Sequence, residues 1–388
     1  RQRFATARRA KNGDWHQRSN PPEAESGDVP VTAFHTDAAS VPHLAEVLRI
    51  VVTALVACLC ESTASAAEPA ADRKPAEQFR AECAAKAAAL GKTDSLTYVG
   101  KDGWLFLARE LRHVGVGAFW GKNAAGASSA SRPENADPLP TILDFKAQLD
   151  KAGIELILLP VPPKCFIYPD KVSGKVTAHD GRAPRLDVHH QEFYSLLGKH
   201  GVKVIDLVPE LLAERAKNGP EVFCEQDVHW SGHACVLAAR AIARQIGNPP
   251  WLKRLPKLEL ARGTRVIEIS GDLWKSLPEK QRPPKEKLAL RFVGRKTDTG
   301  LTAVEPDRNS PVVLLADSHG LVFHLGGDMH AKGAGFPDQL AAELGVAVDR
   351  IATRGSGATP VRITLARRAR RDKNYLAHKK LVIWCLAA

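Results

Sequence analysis

The chain has a single methionine, Met329, and begins at Arg1 rather than at an initiator. Its first 46 residues are polar and Pro-rich and show no apolar period, so residues 1–46 read as a disordered or untranslated leader. RNA-recognition, zinc-finger and helix-turn-helix signatures are missing, which sets nucleic acid aside as a partner despite the basic balance. No HExxH is present, so a zincin-type metal centre has no support, and neither a metal nor a cofactor is expected. No apolar run approaches the roughly 20 residues a spanning helix needs, and no internal repeat is visible. What is there is ordinary for a globular protein: 388 residues, 44% hydrophobic and 25% charged, enough for one large domain or two small ones. A formal charge of +12 suits an anionic partner, such as an acidic polysaccharide or a membrane surface.

One short segment breaks the polar start. In "LRIVVTALVACLCESTASAAEP", Arg49 precedes an apolar run from Ile50 to Cys60, and Ala64 and Ala66 stand before Ala67. A charged flank, an apolar core too short to span and an A-x-A site make residues 47–67 a secretory signal, with a start near Val47 and a periplasmic or otherwise exported product. "LVAC", ending at Cys58, also resembles a lipobox, so a lipid anchor at Cys58 is an alternative. Beyond the signal, Cys83, Cys165, Cys224, Cys235 and Cys385 are odd in number, so at least one is unpaired.

Residues 68–95 read as a linker with a short helix from Pro75 to Leu90. From Leu96 onward strand-like and helix-like runs alternate. "ILDFKAQLDKAG" predicts a helix, "IELILLPVP" a strand, "RLDVHHQEFYSLLGKHG" a helix and "VKVIDLVP" a strand. The pattern resumes with "SPVVLLADSHG", "FPDQLAAELG", "VDRIATRGSG", a basic helix over "RITLARRARRDKNYLAHKK" and a last strand, "KLVIWCLA". Nearly continuous apolar strands separated by helices predict an α/β fold, a doubly wound, mostly parallel sheet over residues 96–388. The Pro- and Lys-rich stretch 250–310 reads as a long excursion across the surface.

In such sheets chemistry gathers at the carboxyl ends of strands. Ser318 stands there, where the following turn offers backbone N–H groups, its own included, to an oxyanion; a helix-capping role is the alternative. "CEQDVHWSGHAC" supplies partners. In an extended segment Asp227 and His229 point the same way, so the carboxylate can orient the imidazole, as in a catalytic triad. Two other readings stand beside it: a structural Asp–His pair, or zinc on His229 and His233 with Asp227 or Cys224. Against zinc, Ser231 and Gly232 make "WSGH" a helix start rather than a helix interior. Lys164 and Tyr168, at another strand end, are candidate contacts for an acidic sugar; Trp230 and His319 are candidates to line the same site.

Five motifs, in order, resemble the SGNH hydrolase-like domain of alginate-type polysaccharide O-acetyltransferases. They are "VGKDGWLFLAREL" at Val99 to Leu111, "PVPPKCFIYPDKV" at Pro160 to Val172, "DVHW" at Asp227 to Trp230, "GDL" at Gly271 to Leu273, and "ADS" at Ala316 to Ser318 where the family has GDS. The resemblance implies a permuted SGNH, flavodoxin-like domain in which the Asp–His pair precedes the serine. Ser318 would be the nucleophile, His229 the general base and Asp227 its orienter. "IATRGSGAT" is similar to the second SGNH block, which makes Gly355 or Gly357 the implied oxyanion donor. The third block would follow "KKLVIWCLAA", so one donor is unassigned and the domain is expected to be incomplete at that end. The implied activity is acetyl transfer through an acyl-serine onto hydroxyls of an exopolysaccharide, an anionic one given the charge, with a membrane-bound O-acyltransferase as acetyl supplier. An acetylesterase with the same triad and a non-catalytic polysaccharide-binding protein are the alternatives.

Overall fold

Strand residues in this chain alternate between two hydrophobic cores, and that alternation dictates the architecture. The computed structural model describes residues 73–387 except 129, 131, 180, 356 and 357. The leader, the 47–67 signal, Cys58 and Gly357 lie outside the described residues. In chain order the main elements are α1 (Arg73–Gly91), β1 (Thr97–Val99), β2 (Leu105–Leu107), α2 (Ala108–Val116), α3 (Pro138–Lys151), β3 (Glu155–Val161), α4 (Val188–Lys199), β4 (Lys203–Val204) and α5 (Val208–Arg215). There follow α6 (Gly232–Ile246), β5 (Ala261–Ile269), β6 (Glu286–Thr297), β7 (Gly300–Thr302), β8 (Val312–Ala316), α7 (Phe336–Leu344), β9 (Asp349–Ala352), α8 (Ala358–Arg371) and β10 (Leu381–Ala387), with shorter helical turns between.

Five strands form one sheet in the order β4-β3-β10-β8-β9, every pairing parallel. Successive side chains of a strand point to opposite faces. Thus Ile157, Leu159 and Val161 of β3, Leu314 and Ala316 of β8, and Ile383 and Cys385 of β10 enter one core, with α1, α6 and α7. Leu156, Leu158, Val313, Leu315, Val382 and Trp384 enter the other, with α3, α4 and α8. A sheet buried on both faces has no use for polar alternation, which is why its strands read as unbroken apolar runs. The doubly wound α/β reading holds. The expected strand at "VKVIDLVP" shrinks to the two residues of β4, because the chain turns directly into α5.

The surface excursion expected at 250–310 is corrected. Strands β5, β6 and β7 form an antiparallel sheet of their own. Leu288, Leu290 and Phe292 of β6 are buried and alternate with exposed Lys287 and Ala289 and half-buried Arg291, which bonds to Gln339 (2.7 Å) and Glu343 (2.9 Å) of α7, and the apolar face packs on α6 and α7. Alternation with basic residues made a half-buried strand look like a solvated tract. No helix among the described residues is long and apolar enough to cross a membrane.

Candidate active site

The loop before α6 is shaped by close backbone contacts that leave no room for side-chain freedom. Ser231 caps α6, its hydroxyl oxygen accepting from the N–H groups of His233 (3.1 Å) and Ala234 (3.3 Å), so the helix starts where "WSG" places a capping serine. Upstream, Cys224 to Asp227 is gripped from two sides. Lys164 Nζ, buried, donates to the carbonyls of Asp227 (2.8 Å), Cys224 (2.9 Å) and Glu225 (3.4 Å). The Glu286 carboxylate, from β6, accepts from the N–H groups of Glu225 (2.9 Å) and Gln226 (3.1 Å). Gly271, of "GDL", passes so close that a Cβ there would lie 2.1 Å from the Gln226 carbonyl oxygen. Only glycine fits.

Asp227 and His229 project from this loop. Asp227 Oδ1 accepts from His229 Nδ1 (2.6 Å) and from the His229 backbone N–H (3.1 Å). Its Oδ2 accepts from the N–H of Asp272 (2.9 Å) and from His330 Nε2 (2.9 Å). Burial alone would raise the Asp227 carboxyl; the bonds and charges of His229 and His330 outweigh it and hold the group well below the usual carboxylate range. For His229 burial pulls the other way, and the Asp227 bond and charge, aided by Asp272 and Asp317, leave the imidazole above its ordinary value. With Nδ1 engaged, Nε2 is buried and has no hydrogen-bond partner among the described residues, Ser318 Oγ included.

The Ser318 turn rises from β8. Ser318 begins a single turn of 3-10 helix, and the turn's own bonds run to its carbonyl oxygen, from Leu321 and Val322 (2.9 Å each), leaving its N–H at the open end. Gly320 is required here, since a Cβ would lie 2.3 Å from that of Ala316. Asp317 is the tie beneath the serine: Oδ1 accepts from the His319 N–H (2.8 Å) and Nδ1 (3.0 Å), and Oδ2 from the Ala387 N–H (2.7 Å) at the end of β10. The two loops meet through His319, whose ring packs edge-on to His229 with centroids 5.0 Å apart. Trp230 Nε1 donates to the His319 carbonyl (3.0 Å). The structure thus brings Asp227, His229 and the Ser318 turn to one edge of the sheet. A cavity of about 360 Å³ opens beside them, its lining including His319, Val228, Pro162, Ala387, Glu110 and Arg112.

The other expected site residues divide. His319 lines the cavity. Lys164, Tyr168 and Trp230 are corrected to interior roles: each is at most 1% exposed and offers nothing to a sugar. Lys164 spends its three protons on loop carbonyls, and burial lowers its ammonium despite nearby Glu110 and Glu286. Tyr168 stacks on Trp104 with centroids 3.9 Å apart and donates to Glu221 (2.6 Å). Trp230 packs in the core against Phe336. Gly355 sits in an exposed turn after β9, with φ +61°, a conformation glycine adopts freely. Of the basic residues in "RITLARRARRDKNYLAHKK", Lys379 is buried and pairs with Asp349 (2.9 Å), which also pairs with Arg368 (2.6 Å).

The zinc set weighed from sequence does not assemble. His233 Nε2 faces Glu214 (2.9 Å), and the Cys224 thiol points to the Trp230 carbonyl oxygen (3.7 Å). Asp227, His229 and Asp272 do bring ligand-type atoms within 4.8 Å of one another, but both oxygens of Asp227 already face N–H donors, an arrangement that repels a cation. His330, Glu286 and Asp317 are participants that sequence reading missed. His330 is 103 residues from Asp227, beyond any local spacing rule. Asp317 was the readable one, standing within "ADS" itself.

A carboxylate-oriented histidine facing a serine turn, at the carboxyl edge of a parallel sheet, defines an SGNH-type serine hydrolase-like domain. Over residues 97–388 the chain matches, and belongs to, the family described as "SGNH hydrolase-like domain, acetyltransferase AlgX". It is 27% identical over 231 residues to the probable alginate O-acetylase AlgJ of Pseudomonas fluorescens, covering 57% of this chain and 52% of that protein. With the Pseudomonas aeruginosa counterpart it shares 28% over 151 residues, 38% of this chain and 32% of that one. The chain thus spans about half the length, or less, of these curated relatives. The fold is shared with the O-acetyltransferase domain of Pseudomonas putida AlgJ, with TM-score 0.54 and 20% identity over 75% of this chain and 90% of that one. It is shared also with Pseudomonas aeruginosa AlgX, with TM-score 0.53 and 16% identity over 76% and 62%.

Proposed function

We propose that this chain is an exported O-acetyltransferase that carries acetyl groups through an acyl-serine onto hydroxyls of an acidic polysaccharide. The observation that carries the reading is the unpartnered Nε2 of His229, a base whose far nitrogen is fixed by Asp227, set beside the Ser318 turn. In the first half-reaction His229 Nε2 takes the Ser318 proton as Oγ bonds to the acetyl carbon of a donor ester. The ester C–O bond then breaks, and the proton passes to the departing oxygen. In the second half a sugar hydroxyl gives its proton to His229 and attacks the acyl-serine, which releases Ser318 with its proton restored. Backbone N–H groups, that of Ser318 and that of Gly355 or Gly357 among them, serve as oxyanion donors.

The relatives' names as alginate O-acetylases support a polysaccharide acceptor, and family resemblance supports a membrane-bound O-acyltransferase that hands acetyl groups across the membrane. Export to the periplasm rests on the 47–67 signal. The test is to incubate the protein with an acetyl ester, with and without oligosaccharide acceptors, and weigh both protein and products. An acetyl group on the peptide containing Ser318, its absence in Ser318→Ala, and acetylated sugar are the expected results. Turnover that survives Ser318→Ala would sink the proposal. Acetate as the only product would make the protein an esterase.

A further inference from the structure

The triad makes no use of Glu110, although helix α2 sets that half-buried residue beside the Ser318 turn. Glu110 lies on the wall of the cavity that also contains His319, and its Oε1 accepts from the Cys165 N–H at 2.8 Å, which fixes the carboxyl in place. On the same helix, Arg109 directly before it and Arg112 two residues after it are exposed at the same cavity, and neither side chain has a hydrogen bond or ion pair with the described residues. The next cavity residue on the helix, His113, is pushed down to about 4 by burial, so it stays neutral and answers neither guanidinium. Burial raises the Glu110 carboxyl against the Cys165 N–H and the charges of Lys164 and His319. Apart from Ser128 and His319, the remaining walls, Val161, Pro162, Pro163, Phe223 and Val228 among them, are apolar. An apolar-walled cleft of about 360 Å³ with two uncompensated cations at its mouth and one fixed polar group inside is built for a small, hydroxylated anion.

We propose that this cavity is the acceptor subsite, in which Arg109 and Arg112 receive the carboxylate of a uronic acid residue and Glu110 hydrogen-bonds one of its hydroxyls, leaving a neighbouring hydroxyl to meet the acyl-serine. The assignment rests on the acyl-transfer reading above and adds the residues that select and place the acceptor. Water in the same cavity meets no such grip, so these side chains bias the acyl-serine toward transfer.

The experiment measures binding apart from chemistry. In the full chain carrying Ser318→Ala, calorimetry compares a hexameric uronate oligosaccharide with a neutral hexasaccharide. Replacing both arginines (Arg109→Ala with Arg112→Ala) should weaken uronate binding about tenfold or more, the scale of lost charge-assisted hydrogen bonds, and leave the weak binding of the neutral sugar as it was. Both arginines are exposed, so folding does not confound the result. Glu110→Gln, which keeps the shape, the Cys165 contact and a hydrogen-bonding group, should leave both sugars bound, whereas Glu110→Leu should weaken both. Uronate affinity indifferent to the two arginines, or an equal loss for both sugars, overturns the proposal. Arginine-dependent uronate binding in a wild-type chain that transfers no acetyl group would uphold the subsite while removing the acyl-transfer reading.

Discussion

Asp227 receives four N–H donors, two of them imidazoles, and this makes it the residue on which the proposed chemistry turns. Asp227→Asn would present an amide N–H to at least one of those donors and leave His229 without its orienting acceptor. A loss of about ten-thousand-fold in kcat is expected, as for the equivalent change in a serine protease, with a far smaller change in melting temperature. A loss below about tenfold would show that another group orients His229. The pH profile follows from the same pair. His229 must be neutral to act as base, and its imidazole is held above the ordinary value, so kcat/KM should rise with pH through a midpoint above about 6.5. Removing the Asp227 charge should move that midpoint down. A midpoint that stays put would separate the titrating group from His229. His330→Gln should cost about tenfold, one charge-assisted bond, without abolishing turnover. Asp227, His229 and Ser318 were legible because two-residue alternation and strand-end position are local signals. Lys164 was not, since a lysine read in isolation belongs to solvent, and only the fold reveals three inward carbonyls waiting for it.

At the scale of elements, the most consequential misreading was the β5–β6–β7 sheet, because it carries Glu286 to the underside of the catalytic loop. The parallel sheet was legible since strands buried on both faces are apolar throughout; the antiparallel one was masked by the basic residues on its outer face. Its coupling to the loop is testable through stability. Burial pushes the Glu286 carboxyl up to about 7, against its bonds to Glu225 and Gln226. An acid raised in the folded state holds its proton there longer than in the unfolded chain, so its contribution favours folding at low pH and is lost as pH rises from about 4.5 to about 7. By linkage this is at most about 3 kcal/mol. Urea unfolding of Glu286→Gln should lack that fall. A wild-type slope retained in the variant would assign it to another group.

At the scale of the whole molecule, the basic end of helix α8 lies away from the Ser318 turn. Helix α8 runs back from the carboxyl end of β9 to the amino end of β10, so Arg367, Arg370 and Arg371 near its end lie across the sheet from Ser318. Reversing Arg370 and Arg371 to glutamate should leave transfer to a soluble oligosaccharide within about twofold, as for surface changes away from a site. A tenfold loss would place that end in contact with the acceptor. The strand order has its own outcome. β10 lies between β3 and β8, and Leu381 pairs with both Glu155 and Val312, so the middle of the sheet is the last part of it to be made. Until β10 arrives, β3 with β4 and β8 with β9 are two half-sheets with bare inner edges and nothing to join them. The Ser318 turn waits on the same strand, because Asp317 beneath it is anchored by the Ala387 N–H at the end of β10.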